Sequence, residues 1–207
     1  MIKNLEGAST KWSIAFSSGD KCVTAKNDIS GNISVSVEDI NGYDEVYWKI
    51  INKLFVLLSF IIEMIVISKC RVISNIAYIL VILKCIYSFY HLYHMSRTSF
   101  RNHGAEHMMI NAYNKLKRVP TIEEAKYFSR FALNCGDRKY IINLICVIIL
   151  IIFKFGIPYF SLRMAIYNLK IVKIISLPIQ LFSTNIPDDS NLMLAREALL
   201  KLDEIMK

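Results

Sequence analysis

The chain has 207 residues, 54% of them hydrophobic and 20% charged, and its mean hydropathy of +0.38 is too apolar for an ordinary water-soluble domain and excludes intrinsic disorder. The net charge of +8, from 25 Lys plus Arg against 17 Asp plus Glu, would on a polar chain point to nucleic acid, but here the basic residues lie between long apolar runs, which points to a membrane. Five cysteines without paired spacing exclude a disulfide framework and indicate a reducing compartment.

Residues 1–45 are polar, with apolar side chains alternating at Trp12, Ile14 and Phe16, at Val23 and Ala25, and at Ile33, Val35 and Val37. Ser18-Gly19 and Ser30-Gly31 separate these runs, which predicts a small three-strand meander. No apolar stretch stands near Met1, so no cleavable signal peptide is expected and the first long apolar segment would direct insertion. That segment is Leu54–Ser68, lengthened if Ile50 and Ile51 join it; a second, Val72–Tyr90, follows the basic turn Lys69-Cys70-Arg71, and the two predict a helical hairpin. Glu63 and Lys84 are the charges inside them, a structural pair or the lining of a polar cavity. A third segment spans Tyr140–Phe160. The fourth, Met164–Phe182, reads as a span or as a helix lying along the interface, because Arg163, Lys170 and Lys173 share one helical face. Pro158 and Pro178 would bend or end these helices.

The fold class predicted is therefore mostly α: a multi-pass helical membrane domain over 46–207 with three to four apolar helices, carrying the β-rich appendage 1–45 and ending in an amphipathic helix over 190–207 whose start signal is Asp188-Asp189-Ser190. Segment 91–139 holds nine Lys plus Arg against four acids. The excess of cations on cytoplasmic loops assigns that segment, and with it the N-terminus, to the cytoplasmic side. Its cations fit lipid headgroups as partners, and no nucleic-acid motif accompanies them, so nucleic acid is not expected. His91 and His94, among Tyr87, Phe89, Tyr90 and Tyr93, fit an aromatic belt at headgroup level.

The chemistry is concentrated in His103-Gly104-Ala105-Glu106-His107, an H-x-x-E-H order. On a helix His103 and His107 stand one turn apart and can present imidazoles to one divalent ion, zinc being the natural fit, with Glu106 towards the same side. Ala105, Met108, Met109, Ala112 and Leu116 fall on the opposite, packing face. Gly104 between the ligands costs about 1 kcal/mol of helix stability relative to alanine and implies a close approach by another segment. A catalytic zinc site takes three protein ligands plus water, so a third must come from elsewhere. Thr121 and Glu124 fit a capping box, which leaves Glu123 as the favoured third ligand; Cys135 is the second candidate, a thiolate suiting zinc in a reduced compartment. The plainer reading is two surface histidines with a glutamate hydrogen-bonded to one of them.

Phe100–Tyr113, Thr121–Arg130, Cys135-Gly136 and Gln180–Leu192 together resemble the YqhQ-like family of bacterial multi-pass membrane proteins over about residues 85 to 207, with a faint echo at Leu5-Glu6-Gly7. That resemblance implies placement in the bacterial cell membrane and a predicted metal-dependent enzyme with its site at His103, Glu106 and His107, joined by Glu123 and Cys135. Two positions depart from the family pattern, Ala132 standing where relatives have histidine and Leu133 where they have proline, which opens the reading of a degenerate member. The leading expectation is a membrane-associated metal-dependent hydrolase with Glu106 as general base, acting on a membrane peptide or a lipid-linked substrate. The alternative is a non-catalytic membrane scaffold or binding protein with a structural or vestigial metal site.

Overall fold

A computed structural model describes residues 2, 4–28, 31–39, 54, 57–58, 60–65, 68, 71–94, 97–133, 135–153, 159–167 and 169–207. In chain order the elements are strands β1 (Glu6–Ser9), β2 (Ser13–Ser18), β3 (Lys21–Asn27) and β4 (Ile33–Asp39), then helices α1 (Arg71–His94), α2 (Arg97–Leu116), α3 (Ile122–Ala125), α4 (Arg138–Phe153), α5 (Tyr159–Tyr167) and α6 (Lys170–Ile175), a 3-10 turn (Leu177–Ile179), α7 (Gln180–Ser183) and α8 (Asp189–Ile205). The chain divides into two compact units. Unit 1 takes Met1–Gly42, Met95–Ala132 and Gln180–Lys207, and unit 2 takes Tyr43–His94 and Leu133–Ile179.

In unit 1 the four strands form an antiparallel sheet in the order β1-β2-β3-β4. The alternation read from the sequence has a structural cause: Ile14 pairs with Ala25 and Phe16 with Val23 across β2 and β3, which puts all four side chains on one pleat face, where each is fully buried. β2 and β3 are joined through Gly19, whose φ of +61° suits the tight hairpin turn. The meander has four strands, not three. Glu6–Ser9 carries no apolar alternation, and β1 is held by backbone pairing to β2 from Glu6↔Ser17 to Ser9↔Ile14. Trp12 is exposed, and Val35 and Val37, on the edge strand, are largely so.

Helices α8 and α2 cover the sheet. α8 contributes Leu192, Leu194, Ala195, Ala198, Leu199 and Leu202, and α2 contributes Ala105, Met108, Met109 and Tyr113, to a single apolar cluster with the strand residues. α8 begins at a capping box in which Asp188 accepts from the Asn191 amide and Asn191 from the Asp188 amide. The Asn191 side chain donates on to Asn102 Oδ1 at 2.8 Å, and Asn102, 2% exposed, donates to the carbonyls of Thr10 and Lys11. One buried amide thus ties α2, the start of α8 and the β1–β2 turn together.

In unit 2, α1 packs on α4, and α4 on α5 and α6. Ile141, Ile142, Cys146 and Val172 form its buried cluster. Arg138, 7% exposed, is satisfied by the carbonyls of Cys135 and Tyr167 and lies 4.2 Å from the Tyr167 ring centroid.

The expectation of a multi-pass membrane domain with transmembrane helices is overturned, because among the described residues no helix is long and apolar enough to cross a membrane. The location in a bacterial cell membrane, with the HxxEH segment on the cytoplasmic face, falls with it. The third apolar run forms α4, whose 16 residues rise about 24 Å against a hydrocarbon core of about 30 Å. The fourth run is broken: α6 has six residues, stops at Ser176, and gives way to a 3-10 turn at Pro178 and the four-residue α7. α1 has 24 residues, with Ser74, Asn75, Lys84 and Ser88 interrupting its apolar run. Of the first run, 54–68, ten of the fifteen residues are described and the other five lie outside the described residues. Ile79, Leu80, Leu83 and Ile86 of α1 and Leu144, Ile148 and Ile152 of α4 are exposed, so much of the apolar content that dominates the composition is surface rather than core.

Candidate metal centre

The site is built on α2, whose two faces are both buried. Ala105, Met108, Met109 and Ala112 pack as the helical spacing predicts, while on the other side Glu106 is 5% and His107 2% exposed and His103 is half-buried. Residues 183–187 pass across the helix at Gly104. The Asn185 amide donates to the Phe100 carbonyl at 2.9 Å, and a Cβ at position 104 would fall far inside 3.0 Å of the Asn185 carbonyl oxygen, with Pro187 Cδ next to it. Glycine is there because backbone lies against backbone.

That crossing segment and a second one fix the imidazoles. His103 Nδ1 lies 3.1 Å from the Ser183 carbonyl oxygen, and His107 Nδ1 lies 2.7 Å from that of Arg130. A carbonyl oxygen only accepts, so each Nδ1 must carry the proton and donate, which in the neutral ring makes Nε2 the lone-pair nitrogen. This is how histidine ligands are commonly prepared for a metal: the second ring nitrogen is held by a backbone carbonyl, which sets tautomer and ring orientation together. The two rings stand 4.5 Å apart, centroid to centroid, at 60°.

The second segment, 129–132, is clamped by side chains. Asn111 Nδ2 donates to the carbonyls of Ser129 and Phe131 at 2.7 and 3.0 Å. Gln180, fully buried, accepts from the Ala132 amide and donates to the Ala132 carbonyl, both at 2.8 Å, pairing as a neighbouring strand would. Three residues further on is Cys135, 5% exposed. His103, His107 and Cys135 each offer one ligand atom, and these atoms lie within 4.8 Å of one another. In a tetrahedral zinc site, bond lengths of about 2.1 Å to nitrogen and 2.3 Å to sulfur place ligand atoms roughly 3.5 Å apart, so closing on an ion takes side-chain shifts of order 1 Å. Two imidazoles and a thiol are a borderline-soft donor set, suited to zinc and unsuited to magnesium or calcium.

Glu106 is on the same helix and is pressed against β1. A Cβ on Gly7 would stand 2.6 Å from both its Cγ and its Oε1, so Gly7 is the space in which this carboxylate lies. Glu123, the third ligand favoured from sequence, is on α3 with its side chain 77% exposed and 2.9 Å from Lys126 Nζ; it is outside the ligand group. Its neighbour Glu124 makes the expected capping box with Thr121 and also pairs with Arg118. Arg118 first, then the Thr121 amide, hold the Glu124 carboxyl down to about 2. Sequence reasoning missed Gln180 and Asn111, whose amides set the path of the chain leading to Cys135; no local pattern marks either, since each acts across a gap of some 20 to 50 residues.

One family model, described as a protein of unknown function (DUF1385), matches residues 46–176. No curated protein matches the chain, and no solved structure does.

Proposed function

The chain belongs to that family, DUF1385, and from this starting point we propose that it is a metal-dependent hydrolase in which His103, His107 and Cys135 hold a divalent cation, zinc by the chemistry of the donor set, with Glu106 as general base. The observation that carries the reading is the three ligand atoms within 4.8 Å of one another, two of them on imidazoles whose other nitrogens are anchored on carbonyls. The resemblance to the YqhQ-like family supports it, and all five residues named from sequence lie inside the matched segment.

A zinc ion with three protein ligands would supply Lewis acidity, lowering the pKa of a water towards about 7 and polarising an acyl or phosphoryl oxygen. The chain does the rest. Ser183 and Arg130 hold the imidazole planes through their carbonyls, so the tautomers are set in advance and only the small side-chain closure remains when an ion enters. Gly7 and the buried flank of α2 keep the Glu106 carboxylate away from bulk water. Glu106 takes the proton from the attacking water and returns it to the leaving group.

Elemental analysis of the purified protein should find about one zinc per chain, and less than about a tenth of that in His107→Ala and Cys135→Ser. Glu106→Gln should keep the metal and lose about 10²-fold or more of hydrolysis across a panel of nitrophenyl carboxylate and phosphate esters. Equal metal in the native chain and His107→Ala overturns the centre, and full activity in Glu106→Gln overturns the base.

A further inference from the structure

Unit 2 has a pocket of about 190 Å³ that the metal centre does not involve. Three cations from three helices face it, Lys84 of α1, Lys139 of α4 and Arg163 of α5, around Ser88, Tyr140 and Asn143. Among the described residues no carboxylate lines it and none of the three cations has an ion pair. Lys139 and Arg163 are half-buried, and Lys84 is exposed. Facing like charges held in a partly dry cleft repel one another more strongly than on an open surface, and such a cleft concentrates counter-ions.

The floor is neutral and internally satisfied. Asn143 Nδ2 donates to Ser88 Oγ at 2.7 Å, and the Ser88 hydroxyl donates in turn to the Lys84 carbonyl at 2.7 Å. Among the described residues the rim therefore presents N–H donors with no carboxylate to meet them: two ammonium groups, that of Lys139 lying 5.1 Å from the Tyr140 ring centroid, and one planar guanidinium fork, the combination that recognises a tetrahedral oxyanion. Its size restricts the ligand, because drug-sized molecules occupy pockets of about 300 Å³ and upward, whereas this one admits a phosphoryl group with a substituent of a few heavy atoms.

We propose that the pocket formed by Lys84, Lys139 and Arg163 binds a phosphate dianion, free or carried on a small phosphomonoester. Three positive charges match a dianion better than a monocarboxylate. The proposal stands apart from the hydrolase reading, since the residues differ and its test reads binding.

Titration calorimetry and phosphorus NMR on the full chain at low salt, with inorganic phosphate and with glycerol phosphate, should show binding in the millimolar range or tighter, with acetate about tenfold weaker or more. Glycerol phosphate bound more tightly than inorganic phosphate identifies an ester as the ligand, and equal binding identifies the free ion. Arg163→Gln and Lys139→Gln should each weaken phosphate at least about tenfold, Arg163→Lys should weaken it less, and Lys170→Gln, on an exposed part of α6, should leave it unchanged. Absence of binding by both phosphate probes at about 10 mM, or equal affinity in the native chain and both Gln variants, overturns the proposal.

Discussion

Gly104→Ala sets two effects of opposite sign against each other. On helix propensity alone the change stabilises α2 by about 1 kcal/mol. The new methyl, however, meets the Asn185 carbonyl oxygen, a backbone atom, so the 183–187 segment must retreat by roughly 1 Å, which for a packed interior costs about 1–3 kcal/mol. The same retreat stretches the bonds from the Asn185 amide to Phe100 and from His103 to Ser183, each worth about 0.5–1.5 kcal/mol. The balance is a loss of about 2 kcal/mol, or roughly 30-fold in the population of opened unit 1. Native-state hydrogen exchange at the amides of Phe16 and Val23, in the centre of the sheet, reads that quantity for this unit alone. Protection should fall by about that factor, and zinc content should fall as well because His103 loses its carbonyl. Protection equal to or above that of the native chain would show that the crossing segment does not press on α2 and would refute the reasoning.

Gly7→Ala should displace the Glu106 carboxylate, lowering ester hydrolysis by about 10²-fold while metal content by elemental analysis stays unchanged. Gln180→Leu leaves the Ala132 amide and carbonyl unpaired and should weaken zinc, measured by chelator competition, by about 10- to 100-fold without removing a ligand. Tyr113→Phe removes the hydroxyl that donates to Asp203 at 2.9 Å and accepts from the Ile2 amide, and should cost about 1–3 kcal/mol in urea unfolding. Glu124 has its folded pKa depressed to about 2, below an unfolded value near 4.3; its contribution is complete above the unfolded value and is lost as pH falls through the folded one. Carbon NMR should therefore find its carboxyl still ionised at pH 3, and a midpoint near 4 would contradict the pairing with Arg118.

The parts of this structure that were readable in the sequence are those governed by local periodicity. Two-residue alternation marked Ile14, Phe16, Val23 and Ala25 as one face, helical spacing separated Ala105, Met108 and Met109 from the histidines, and the side-chain chemistry of Thr121 and Asp188 marked two helix starts. The unreadable parts depend on contacts distant in sequence. The favoured third ligand, Glu123, carries a suitable donor, but its side chain reaches Lys126 in solvent, whereas Cys135 is placed by a segment that Asn111 and Gln180 bind. β1 has no side-chain pattern because its hold is backbone pairing. The apolar runs misled for a different reason: hydropathy counts side chains without asking where a helix stops, and Ser176, Pro178 and the length of α4 are what stop these.

Unit 1 is assembled from three stretches separated in the chain, and this governs when it can form during synthesis. The sheet ends at Asp39, yet α8, which covers it, begins at Asp189, about 150 residues later. At about 5–20 residues per second, Ile14, Phe16 and Val23 wait roughly 8–30 s on the ribosome before their cover emerges. Gln180 and Ser183, which hold the Ala132 backbone and the His103 ring, emerge in that same last portion. A nascent chain stalled before Gln180 would hold both histidines and the cysteine yet lack two of the contacts that position them, so on the proposed reading the ligands are set only once residues 180–183 have emerged.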